Sequence, residues 1–142
     1  TEELTVALKE QIDQGLIEVE QRDGKVFVTV GSGGAFPSGT ADLTGEAQRI
    51  MDRIALTAMS PDSSITVTGH TDDVPISNGQ FRDNWDLGAG RAASVVQAIQ
   101  STGLISGDRL SAVSKGEMVP VADNNTAAGR KQNRRIEIEI SY

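Results

Sequence analysis

The stretch that most constrains this chain is its C-terminal end, where Ile136, Ile138 and Ile140 alternate with Glu137 and Glu139. A period of two puts the three isoleucines on one face of a strand and both carboxylates on the other. Carboxylates are not buried without partners, so the sheet that contains this strand has one wet face. Helices can therefore cover it from one side only. The rest of the sequence has to supply that cover.

Two amphipathic stretches do so. From Leu43 onward, Ala47, Ile50, Met51, Ile54, Ala55 and Ala58 fall on one helical face, with Pro61 just beyond. A second stripe, Ala89, Ala92, Ala93, Val96 and Ile99, closes at Gly103. Leu16–Glu20 and Val26–Val30 suit strands, and Asp23-Gly24 between them signals a hairpin, because its turn requires positive φ. Ile65 and Val67 begin a short strand that runs into Gly69-His70-Thr71-Asp72-Asp73, and Leu110–Ser114 is another strand candidate. A helix over Leu4–Ile12 is expected to stop at Gly15. Residues 31–39, 74–83 and 116–130 read as loops. The expected fold is an α/β (α+β) two-layer sandwich with a mixed sheet and helices on one face. Its 142 residues are about one domain, with residues 1–35 forming an N-terminal helix and hairpin region and residues 36–142 the main body.

Composition removes several classes of function. With no cysteine there is no disulfide, thiolate metal site or cysteine nucleophile. A net charge of −7 argues against a nucleic-acid partner. No run approaches the roughly 18 apolar residues of a membrane helix, and the first residues do not form a signal peptide. Thr1 stands where an initiator Met would, so a processed or truncated piece of something longer is expected.

The chemical candidates are few. His70, Asp72 and Asp73 offer metal-ligand types at a strand end, but His70 is the only histidine. The bland alternative is that His70 packs at the strand end while Asp73 caps the loop. Gly31-Ser32-Gly33-Gly34 follows a strand, as phosphate loops do, yet it continues into Ala35-Phe36-Pro37 rather than a Gly-Lys-Ser/Thr and a helix. Asp72 with Asp86 or Glu117 would be needed for paired-carboxylate catalysis, and no spacing selects them. Arg91 sits early in the second amphipathic helix, where the helix dipole disfavours a cation. It therefore calls for a nearby carboxylate, and Asp72 is topologically the best placed. A partly open Arg–Asp pair of this kind suits a zwitterionic ligand. The basic run Arg130-Lys131-Gln132-Asn133-Arg134-Arg135 precedes the last strand. Charge runs are usually solvated surface, but Arg134 or Arg135 would serve a carboxylated ligand.

Several ordered blocks resemble the OmpA-like peptidoglycan-binding domain. They are Gly69-His70-Thr71-Asp72, Asn84-Trp85-Asp86-Leu87, Arg91-Ala92, Asn124-Asn125-Thr126, Gly129-Arg130 and Asn133-Arg134-Arg135-Ile136-Glu137. The resemblance spans about Phe36 to Tyr142. Asp72-Asp73-Val74-Pro75 and Asn84-Trp85 are most similar to the B subunits of bacterial flagellar stators, in particular the sodium-driven, polar-flagellum type. The resemblance implies a non-enzymatic wall anchor in which Asp72 and Arg91 bind the diaminopimelate of the peptide stem. Thr71, Asn84, Leu87, Arg134 and Arg135 would line the same cleft. It implies no catalytic residue, metal or cofactor. The implied partners are peptidoglycan, a second copy in a homodimer, a stator A-type membrane subunit reached through a preceding region, and periplasmic flagellar ring proteins. The implied setting is the periplasmic part of an inner-membrane protein, with Leu4–Val30 as linker and dimerisation region. The competing readings are another OmpA-like anchor, such as a lipoprotein or porin tail, and a metal-dependent wall hydrolase on His70, Asp72 and Asp73. One departure stands out: the family's Leu-Ser is Leu87-Gly88 here. The expectation is that Gly88 or Asp86 replaces that serine as helix cap, with a looser first turn.

Overall fold

A computed structural model describes residues 2–142. Five strands form one mixed sheet: β1 (Ile17–Arg22), β2 (Lys25–Gly31), β3 (Ser64–His70), β4 (Leu110–Gly116) and β5 (Arg135–Ser141). The spatial order is β1-β2-β5-β3-β4, so the C-terminal strand lies at the centre. β5 runs antiparallel to both β2 and β3, while β3 and β4 pair in parallel. The central position explains the alternation that dominates the sequence. Val28, Ile138 and Val67 align across three strands, and all are fully buried. Glu137 and Glu139 lie half-buried on the opposite face.

Helices α4 (Gly45–Thr57) and α5 (Asn84–Ser101) pack on the isoleucine face. α5 belongs to the crossover that a parallel β3–β4 pair requires. Each long helix opens on a side-chain cap. The Thr44 hydroxyl accepts from Ala47 N at 3.2 Å, and the Asp83 carboxylate accepts from Asp86 N at 2.9 Å. The β1–β2 turn is the expected one, with Asp23 and Gly24 both at positive φ (51° and 76°).

The N-terminal helix is two pieces, α1 (Glu2–Ala7) and α2 (Lys9–Asp13), separated at Leu8. Leu4 and Leu8 are fully buried in the common core. Arg53 of α4 donates to the Ala7 carbonyl (3.3 Å) and to Gln11 Oε1 (3.2 Å). The helix and hairpin of residues 2–35 are therefore built into the same sheet and core as the rest of the chain. No helix among the described residues is long and apolar enough to cross a membrane.

Four local expectations are corrected. A one-turn helix, α3 (Ser32–Ala35), interrupts the glycine-rich loop, and α6 (Ala127–Asn133) takes up the start of the basic run. Both are too short to show a helical period, and α6 starts on Thr126, whose hydroxyl accepts from Gly129 N. The buried face of α5 is Leu87, Gly88, Arg91, Ala92, Val95, Ala98 and Ile99, with Ala89 exposed. That stripe is rotated from the apolar one because Gly88 and Arg91 occupy inward positions. Finally, Gly88 does not cap α5 and neither does Asp86. Asp83 is the cap, and Asp86 forms a two-pronged ion pair with Arg82 that pulls its carboxyl down to about 2. Gly88 is instead where α5 touches β3: a Cβ on Gly69 would lie 2.8 Å from the Gly88 carbonyl carbon.

Candidate functional site

The chain leaves the sheet at the end of β3 and turns immediately. The Thr71 amide donates to the Gly116 carbonyl on β4 (2.8 Å), and the Thr71 hydroxyl donates to the Asp72 carbonyl (2.8 Å). Asp72 then accepts from Val74 N through Oδ1 (3.1 Å), an Asx turn that fixes the direction of its carboxylate. It is Asp72, not Asp73, that holds this loop. Asn84, the first residue of α5, clamps the turn from the other side. Its amide donates to the carbonyls of Asp72 (3.3 Å) and Val74 (3.2 Å).

These residues border an open cleft of about 530 Å³. One wall carries Thr71, Asp72, Val74 and Pro75, and α5 contributes Asn84, Leu87 and Arg91. The facing wall is made by Ser32, Gly33 and Phe36 together with Arg130 and Arg134. Of the residues singled out from the sequence, Asp72, Arg91, Thr71, Asn84, Leu87 and Arg134 thus line one cleft.

Arg91 and Asp72 do not pair directly. Asp72 Oδ2 accepts from Arg134 Nη1 at 2.7 Å, because β5 lies next to β3 and carries Arg134 to the mouth of the turn. Arg91 is almost fully buried, and its Nε donates to the Thr40 carbonyl at 2.8 Å. Its guanidinium lies over the Phe36 ring, 4.9 Å from the centroid. Among the described residues no carboxylate bonds to it. Burial pulls its pKa down to about 10, the Arg134 charge adds to that, and Asp72 opposes it. Arg91 is therefore a cation held in place by neutral partners, facing the space its charge would have to fill.

Arg135 is corrected. As the first residue of β5 it alternates with Ile136 and lies on the far face of the sheet, where it is buried. There it donates to the Asn133 and Val119 carbonyls and pairs with Glu137 at 3.0 Å. His70 joins the same group, its Nε2 lying 2.6 Å from Glu137 Oε2. His70 and Asp72 thus serve different faces. Among the described residues no group of three His, Asp or Glu side chains converges as a metal would require. Asp86 is likewise tied to Arg82, away from any pairing with Asp72.

Sequence reasoning missed Phe36, Ser32 and Arg130 as cleft residues. Phe36 is one of only three phenylalanines and sits in a glycine-rich loop, which was the available signal. Arg130 stood in a basic run that reads equally well as solvated surface.

Comparison with known proteins decides the family. Residues 35–134 match the OmpA family. The chain belongs to the OmpA family. It is 33% identical to motility protein B of Bacillus subtilis over 125 residues, 87% of this chain and 48% of that protein. Among solved structures it is similar to the cell wall anchor of the T6SS from Pseudomonas aeruginosa, with a TM-score of 0.89, 32% identity, and 97% and 96% of the two chains covered. It is also similar to a putative MotB-like protein from Desulfovibrio vulgaris, with a TM-score of 0.86, 28% identity, and coverages of 99% and 90%. The chain spans about half the length of the first curated relatives it matches.

Proposed function

We propose that this OmpA-family domain binds peptidoglycan and anchors a flagellar stator to the cell wall, as a non-enzymatic part of a B-type stator subunit. The observation that carries the reading is Arg91, a buried guanidinium with no carboxylate partner among the described residues, in the same cleft as the Asp72 carboxylate. A zwitterionic amino-acid end supplies the carboxylate that Arg91 lacks and brings an ammonium to Asp72, whose Oδ2 is shared with Arg134. Arg91 takes the free carboxylate of diaminopimelate in the peptide stem, and Asp72 receives its ammonium. Thr71, Asn84, Leu87 and Arg134 shape the cleft around that end.

Two charge-assisted hydrogen bonds of about 1.5–3 kcal/mol each, with weak sugar contacts, put a single stem in the millimolar-to-micromolar range. Firm anchoring then comes from two copies on one polymer, where the second contact is effectively intramolecular. The same reading places the domain in the periplasm, tethered to the inner membrane through sequence outside this chain. There it partners an A-type membrane subunit and periplasmic ring proteins, with sodium as the driving ion and residues 1–35 as the linker and dimerisation region. Resemblance to the T6SS wall anchor favours a second reading, in which the same wall chemistry serves a secretion machine. Loss of swimming without loss of secretion in a deletion strain selects the stator.

The direct test is co-sedimentation with purified murein sacculi. Wild type is expected in the pellet, and Asp72→Asn and Arg91→Met in the supernatant. Equal sedimentation of all three overturns the mechanism.

A further inference from the structure

The charge balance of the cleft is not closed by a zwitterion. Three guanidiniums line it, those of Arg91, Arg130 and Arg134, against the single carboxylate of Asp72. The excess stands out in a chain whose net charge is −7. One zwitterionic end engages Asp72 and Arg91 and leaves that excess where it was. Arg130 is half-buried, and its Nη1 donates to the Asn124 carbonyl at 3.0 Å. Among the described residues it has no carboxylate partner, so its charge is positioned but uncompensated. A second observation lies on the same wall. Ser32 donates its amide to the Arg134 carbonyl (2.9 Å), yet its buried hydroxyl has no hydrogen-bond partner among the described residues. Fixed cations beside a buried, unpaired hydroxyl favour an anion.

We infer that the cleft holds a second carboxylate position, on the Arg130–Arg134 wall beside Ser32, which reads the free α-carboxylate of the stem residue next to diaminopimelate. The inference rests on the wall-binding reading above and makes it more specific: the ligand is a stem with two free carboxylates near the ammonium. Arg134 bridges the two positions, since one of its nitrogens already holds Asp72. Burial is the main cause of the lowered Arg91 pKa, and the Arg134 charge, acting across the cleft, adds to it. A second anion offsets that repulsion. Arg130 is then a specificity residue that separates free-acid stems from amidated ones.

Calorimetric titration of this chain with two synthetic tripeptides tests the inference. One is L-Ala-γ-D-Glu-meso-diaminopimelate with the L-centre carboxyl of its diaminopimelate blocked as the amide, and the other is the same peptide with the glutamyl α-carboxyl amidated as well. The free acid is expected to bind about tenfold more tightly, the effect of one charge-assisted contact. In Arg130→Gln the preference should vanish, with the free acid and the amide bound equally. Equal binding of the two peptides by wild type overturns the inference, and so does a preference that survives Arg130→Gln. If both peptides bind equally and sacculi are still retained, only the second position fails. If neither peptide binds and sacculi are not retained, the wall-anchor reading fails with it.

Discussion

The contact between Gly69 and Gly88 couples the fold to the cleft, and replacing Gly69 by alanine exposes it. A Cβ on Gly69 would lie 2.8 Å from the Gly88 carbonyl carbon, 3.0 Å from its Cα and nearer still to its oxygen. Carbon atoms in packed interiors rest about 3.5–4.0 Å apart. Both sides of the contact are backbone, so no side chain can rotate out of the way. α5 must move off β3 by about 1 Å. Overpacking usually costs about 1–3 kcal/mol, and a rigid contact between two elements belongs near the top of that range. For a chain of this length, about 3 kcal/mol lowers Tm by roughly 10 °C. The converse change is milder. A Cβ on Gly88 meets the Ser114 hydroxyl at 2.5 Å and the Gly69 carbonyl oxygen at 3.0 Å. The hydroxyl can turn away, giving up its bond to the Trp85 carbonyl (2.8 Å) at a cost of about 1 kcal/mol. Alanine returns most of that through helix propensity, about 0.8–1 kcal/mol. Thermal denaturation followed by circular dichroism should therefore give a drop of roughly 10 °C for Gly69→Ala and only a few degrees for Gly88→Ala. A Gly69→Ala Tm within 2 °C of wild type, or equal losses in both variants, would refute the close-approach argument.

Two further outcomes follow from charges the fold holds in place. Arg91→Met should leave the free domain as stable as wild type or up to about 1 kcal/mol more stable, because it removes a desolvated cation whose pKa is held near 10. Calorimetric stem binding should be lost in the same variant, and a clearly lower Tm would show that Arg91 is structural. Glu137 has its carboxyl held below the usual value, first by the His70 hydrogen bond and further by the neighbouring Arg135 charge, with burial opposing. A lowered folded pKa means stability that is full above the unfolded value, near 4.5, and lost as pH falls through the folded one. Urea midpoints should thus fall less steeply between pH 5 and 3 in Glu137→Gln than in wild type, and parallel slopes would exclude Glu137 as a source of acid sensitivity.

The isoleucine alternation of β5 was legible because a central strand buried on one face repeats with a period of two. The hairpin was legible because Asp23-Gly24 is local chemistry. What local chemistry does not carry is the order of strands. Sequence proximity made Arg91, on the helix that follows Asp72, the obvious partner for that carboxylate. The sheet instead returns β5 beside β3 and delivers Arg134, 62 residues away, to Asp72. The same return separates Arg134 from Arg135, since adjacent residues at a strand end face opposite sides. The face of α5 was misread for a different reason. A glycine at a close approach and a buried arginine both lie inward, and neither counts as apolar.

That misreading points to how the site is made. An arginine on the buried face of a helix is unfavourable unless something compensates it, and folding supplies only a carbonyl and an aromatic ring. Arg134 takes the one carboxylate that could have compensated Arg91. The two cations and one anion therefore cannot all be satisfied by one another. The arrangement is held by its surroundings: the Asn84 clamp, the Thr71 bond to β4, and the glycine contact that sets α5 against β3. On the proposed reading, a cleft left electrostatically incomplete in this way is complementary to an anion-rich zwitterion before that ligand arrives, so little ordering is needed on binding. Loosening the frame should weaken recognition even where every charged side chain is retained.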